Sequence, residues 1–180
     1  KNMKLKYRPE IDGLRAISVI AVLIYHSDLS FFGKYLFNGG FIGVDIFFII
    51  SGYLIGSIII NELKSTGKFS YKNFLTRRVR RILPVLFFII LASLTFSYFY
   101  LLPNDFVDLS KSILSSVLFG SNYYFSFIGE VYDAIESKYL PFLHTWSLSV
   151  EEQFYIIFPI IFVLIFRISN KNFVTILFFI

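Results

Sequence analysis

Apolar residues run along this chain in long blocks, and charge collects in the short stretches between them. A membrane-spanning helix needs about 20 mostly apolar residues. Phe41 to Ile60 and Ile82 to Leu102 reach that length, and the second carries no charge. A first segment reaches it when drawn from Ile11 to Phe32 with polar groups inside. A further one runs from Trp146 to Phe166, with Glu151 and Glu152 in its first half. The last apolar run opens near Phe173 and continues to Ile180, so the chain reads as the front part of a longer protein. The predicted fold class is an all-α polytopic membrane protein, with four transmembrane helices and the start of a fifth.

Lysine and arginine placement predicts the orientation, because loops rich in them stay cytoplasmic. Lys4, Lys6 and Arg8 precede the first span, and Lys64, Lys68, Lys72, Arg77, Arg78, Arg80 and Arg81 lie between the second and third. Both segments should face the cytoplasm, which two crossings between them allow. The connection at 33–40 holds Lys34 as its one basic residue and should lie outside. Between Pro103 and Thr145 the charges are mostly acidic, and Ile113 to Ile128 is apolar but short, broken by Gly120, Ser121 and Asn122. Were that stretch to cross, Arg167 and Lys171 would lie outside. Read as a re-entrant or surface helix it leaves them inside, and this is the expectation.

Composition sharpens the class. Of 180 residues, 56% are hydrophobic and 16% charged, with a mean hydropathy of +0.70. A soluble domain carries about 25% charged residues, so these charges are too few to clothe a globule. The 24 phenylalanines also suit lipid better than water. With no cysteine, a disulfide framework, a thiolate metal site and a thioester nucleophile are excluded. The net charge of +5 flanks apolar runs, as topology signals do, which argues against nucleic acid as a partner. The Ile17–Tyr25 core has the length of a signal peptide, but Arg15 and His26 bracket it and no small-x-small site follows. It is expected to be retained.

Ionisable groups inside spans are costly and usually face a protein interior or a cavity. Arg15 and His26 are eleven residues apart, so on a helix they share one stripe, about 16 Å apart along the axis. With Arg15 at the cytoplasmic edge, His26 would lie near mid-membrane, placed to act as general base or nucleophile. An interfacial histidine followed by Ser27 and Asp28 is the plainer account. Asp45 lies just inside the second span, after Gly39, Gly40 and Gly43, and needs a cation or a proton; Arg15 and His26 are candidates. Arg77, Arg78, Arg80 and Arg81 precede Pro84. Positive-inside anchoring explains them on charge alone, while as an anion site their forks match phosphate oxygens. In His144-Thr145-Trp146-Ser147-Leu148-Ser149-Val150-Glu151-Glu152-Gln153-Phe154-Tyr155, Ser147 shares a face with Glu151 or caps the helix. The adjacent glutamates entering an apolar helix should pair or keep a proton.

Arg15 with His26, the run GGFIGVDIFFIISGYLIG, the run RRVRRILP and HTWSLSVEEQFY together resemble, in order and spacing, the acyltransferase-3 family. Its members are membrane O-acyltransferases, many acting on bacterial surface glycans. The resemblance covers Tyr7 to about Phe166 and implies a single transmembrane domain of about ten helices, whose front part is residues 1–180. It maps the family's arginine-x10-histidine pair onto Arg15 and His26. The arginine-x-x-arginine pair falls on Arg78 and Arg81, with Arg77 and Arg80 at the same spacing, and the last motif's carboxylate is Glu151 or Glu152.

The resemblance implies transfer of an acyl group, most simply acetyl, from cytoplasmic acyl-CoA to a hydroxyl of a cell-envelope glycan or glycolipid such as O-antigen lipopolysaccharide. Acyl-CoA is then a co-substrate, with no permanently bound cofactor and no metal. The setting would be a bacterial inner membrane, with the amino terminus cytoplasmic. His26 would deprotonate the acceptor or carry the acyl group; Asp45, Glu151 or Glu152 would orient it; Arg15 would steady the donor or the oxyanion. Neither histidine has an aspartate at the His-x4-Asp spacing of glycerolipid acyltransferases. The rival reading is a transporter using the same charges as a proton or ion relay, which should show internal repeats; none is present. Held to the first four spans, the chain should be inactive alone.

Overall fold

The computed structural model describes residues 8–27, 30–31, 34–35, 39–131 and 142–168. Among them are six helices and one short strand pairing: α1 (Pro9–His26), β1 (Ser30–Phe31), β2 (Lys34–Tyr35), α2 (Ile42–Thr66), α3 (Tyr71–Tyr100), α4 (Pro103–Val117), α5 (Ser121–Val131) and α6 (Thr145–Ile168). The strands pair antiparallel, Ser30 with Tyr35 and Phe31 with Lys34. The chain divides into two units, residues 1–69 with 159–180, and residues 70–158. The apolar run expected from Phe173 lies outside the described residues, as do Asp28, Asp133, Glu136, Lys138 and Lys171.

Three helices are long and apolar enough to cross a membrane: Ile42–Thr66, Tyr71–Tyr100 and Thr145–Arg167. They cover the three later spans expected from hydropathy except Phe41, which precedes α2, and Leu101 and Leu102, which follow α3. Helix α1 differs from its expected extent. It stops at His26, where the Ser27 hydroxyl and amide turn back onto the carbonyls of the last turn. Its 18 residues include Glu10, Asp12 and Arg15, too many charges for a span judged by composition. Pro9 at its start supplies a fixed φ where no amide donor is needed.

In the first unit α1 packs antiparallel against α2, through glycines. A Cβ added to Gly43 would stand 2.6 Å from the Ser18 carbonyl oxygen and 2.8 Å from Val22 Cγ2. One added to Gly40 would collide with the Ala21 carbonyl and with Tyr25. Lipid offers helices no hydrophobic gain for pairing, so close backbone approach through small residues supplies the packing energy. Further along, Arg8 donates to the Tyr53 hydroxyl at 2.9 Å, with its guanidinium 5.9 Å from the ring centroid. Helix α2 ends at Gly67, whose φ of 71° closes a left-handed cap with its amide on the Leu63 carbonyl.

The second unit surrounds a core of Leu86, Ile90, Leu109, Ile113, Phe125 and Phe142. Helix α3 begins at Tyr71, well before the apolar run, so the four arginines ride on the same continuous helix. Thirty residues span about 45 Å, against a hydrocarbon core of about 30 Å, which lets the arginine end project. Pro84 lies inside this helix and Pro159 inside α6. Lacking an amide hydrogen, Pro159 frees a carbonyl one turn back, and the Tyr71 hydroxyl donates to the neighbouring Ile156 carbonyl at 3.0 Å.

The stretch expected to be re-entrant or surface-lying, and broken at Gly120, Ser121 and Asn122, is two helices, α4 and α5, of 15 and 11 residues. At about 22 and 16 Å, neither spans the core alone. The break falls one or two residues earlier than the glycine suggested. Phe119, not Gly120, adopts the left-handed conformation, with φ 52°; Ser121 and Asn122 already belong to α5.

Candidate functional site

On α1, Arg15 and His26 share a stripe, as their spacing requires. The helix pairing decides which part of α2 each lies against. With Gly43 against Ser18 and Val22, Gly40 against Ala21 and Tyr25, and Tyr53 on Arg8, His26 comes level with the Gly39–Gly40 turn before α2. Arg15 comes level with Ile46 to Ile50, near the centre of the apolar run Phe41–Ile60. His26 thus lies beside the turn that precedes α2, and Arg15 lies further along that helix. Arg15 is partly shielded and pairs with Asp12 one turn earlier, at 3.9 Å.

The His26 ring sits on the final turn of α1, with Nδ1 2.9 Å from the Val22 carbonyl oxygen. A carbonyl can only accept, so Nδ1 must carry the hydrogen. In the neutral ring Nε2 is then the basic nitrogen. Tyr25 meets the ring edge to face at 5.1 Å. The Val22 carbonyl thus holds Nδ1. Asp45 is exposed in the first turn of α2, two residues past Gly43 and hence about 200° round from the face that meets α1. A carboxylate there complements the positive end of the helix.

The second group of candidates lies on α3 and α6, within residues 70–158. Arg77, Arg80 and Arg81 are exposed and fall within an arc of about 100° on α3. Arg78 turns the other way. Its guanidinium lies 5.4 Å from the Phe74 centroid and 5.0 Å from that of Tyr155, so the arginine-x-x-arginine pair Arg78 and Arg81 is split between two environments. Tyr155 donates to Glu151 through its hydroxyl. Glu152 is 5% exposed, and its Oε1 has no hydrogen-bond partner among the described residues. Ser147 is not the cap: α6 starts at Thr145, and the Ser147 hydroxyl donates to the His144 carbonyl at 3.2 Å.

Phe74, Tyr155 and Gln153 carry structure that charge counting overlooked. Phe74 precedes Arg78 by one turn and Tyr155 follows Glu151 by one turn, so helical spacing would reveal them once α3 is known to start at Tyr71. Hydroxyls and amides fix α6 to the α4–α5 break. Ser116 meets Thr145 at 2.7 Å, and Ser121 meets Ser149 at 2.7 Å. Gln153 and Asn122 exchange amide hydrogen bonds of 2.9 and 3.4 Å, and Gln153 Nε2 also donates to the carbonyl of the left-handed Phe119 at 2.7 Å. Gln153→Leu leaves that carbonyl and the Asn122 amide unmet. The expected loss is about 1–3 kcal/mol per orphaned group, read as a lowered melting temperature in detergent; an unchanged melting temperature contradicts the bracing role.

Residues 8–180 match the family model described as an acyltransferase domain. A Staphylococcus aureus (strain MSSA476) protein whose name describes an O-acetyltransferase is 38% identical over 175 residues, which cover 96% of this chain and 28% of the relative. The O-acetyltransferase OatA of S. aureus strain NCTC 8325 is 36% identical over the same shares. The chain thus spans little more than a quarter of the length of these relatives. No solved structure matches it.

Proposed function

The chain belongs to the acyltransferase-3 family, and from that premise we propose that it forms the front part of an O-acyltransferase, moving an acetyl group from acyl-CoA to a hydroxyl of a cell-envelope glycan. The observation that carries this reading is the Nδ1–Val22 bond, which makes Nε2 of His26 the basic nitrogen. A base so oriented can take the proton of an acceptor hydroxyl or attack the thioester carbonyl itself. In a four-span arrangement with the amino terminus cytoplasmic, the Gly39–Gly40 turn faces outward. His26 then stands on the acceptor's side of a bacterial cytoplasmic membrane, with Arg15 deeper in, on the donor's route. A cation there stabilises negative charge developing on the acyl oxygen.

The donor's phosphates are assigned to the exposed arginines of α3: Arg81 first, with Arg77 and Arg80 beside it. Planar guanidinium forks bind phosphate oxygens in pairs. Replacing the three together by glutamine in the full-length protein is expected to raise the KM for acetyl-CoA about tenfold or more while kcat stays nearly constant, because uniform binding is lost. Unaltered acetyl-CoA kinetics would move the phosphate site elsewhere. The reading as a whole is tested by supplying labelled acetyl-CoA to membranes that hold the full-length protein and extracting the envelope glycans. Label should appear as base-labile ester on glycan; its absence, with the protein present and folded, overturns acyl transfer.

A further inference from the structure

Arg78 is half-buried while its three neighbouring arginines are exposed. The rings beneath it, Phe74 and Tyr155, are 1% and 4% exposed and meet edge to face, with centroids 6.4 Å apart and planes at 87°. They form a corner against which the guanidinium rests, 5.4 and 5.0 Å from the two ring centroids. Tyr155 stands one turn after Glu152 on α6, and helical side chains lean back toward the amino terminus. The Glu152 carboxyl, one turn earlier on the helix that carries Tyr155, feels the Arg78 charge. That carboxyl is buried with an oxygen unmatched, the situation in which a nearby cation matters most. Reaching a nucleotide phosphate would pull Arg78 off both rings and take its charge away from Glu152.

We propose that Arg78 is the countercharge that positions Glu152 from its aromatic platform, and that it is not a ligand of the donor's phosphates. This rests on the acyl-transfer reading above, and it separates the arginines by the group each one meets. Arg77, Arg80 and Arg81 face the donor, and Arg78 faces the carboxylate.

The test is a double-mutant cycle in the full-length protein, with Arg78→Met, Glu152→Gln and both together, read in kcat, acetyl-CoA KM and melting temperature. Arg78→Met is expected to lower kcat about tenfold or more with KM within about twofold, and to cost little further in the Glu152→Gln background. Arg78→Lys, which keeps the charge and loses the fork, should retain KM and part of kcat. It stands in for Arg78→Met if that variant fails to accumulate. A tenfold rise in KM with kcat intact overturns the proposal, as do equal losses in both backgrounds. Should the wild-type protein fail to use acetyl-CoA, the acyl-transfer reading falls by itself. Melting temperatures then decide: non-additive shifts support the coupling, and additive shifts overturn it.

Discussion

Full-length protein carrying His26→Ala is expected to lose acyl transfer by at least about a hundredfold, the lower end of what a positioned general base contributes. A larger loss would point to an acyl-imidazole, since a missing nucleophile removes the whole covalent route. The variant should still insert and fold, because His26 sits on the last turn of α1 with its ring exposed. His26→Asn refines the result. Its amide can donate to the Val22 carbonyl as Nδ1 does, yet it offers no basic nitrogen. It is expected to be as inactive as alanine with the end of α1 intact. Glycan acetylation at the wild-type level in either variant would remove His26 from the chemistry.

The second large effect is on the α1–α2 pair. Gly43→Ala places a methyl group 2.6 Å from a backbone oxygen of Ser18, which cannot swing aside as a side chain can. Alanine otherwise gains about 1 kcal/mol over glycine in a helix; here overpacking of about 1–3 kcal/mol outweighs it, and Gly43→Val should cost more. Gly40→Ala meets the Ala21 carbonyl and should behave alike. Gly56, in the same helix, has open space around it, so Gly56→Ala should hold or raise the melting temperature. Because α1 carries His26, the Gly43 variants should lose activity beyond what their reduced amount of folded protein explains. Equal melting temperatures for Gly43→Ala and Gly56→Ala would refute the close packing.

Hydropathy alone located the apolar blocks at Phe41–Ile60, Ile82–Leu102 and Trp146–Phe166, since the length needed to span lipid is a local property of the chain. Helix ends were less legible. Nothing apolar marks Tyr71, so the arginines read as loop although they ride on α3. Phe119 adopts the left-handed turn, and the Gln153 amide meets its carbonyl from another helix. A contact with a partner 34 positions away leaves no local signal.

The candidate site divides the same way. Residue types and their order were enough to name Arg15, His26, the arginine cluster and the paired glutamates, and helical periodicity put Arg15 and His26 on one stripe. Which part of α2 Arg15 and His26 lie against, and which way each arginine of α3 turns, came from contacts between helices. A helix repeats every 3.6 residues whatever lies beside it, so its sequence specifies faces but not axial register. Here the register is set where Gly40 and Gly43 let the α1 backbone approach, and the choice among arginines where Phe74 and Tyr155 meet.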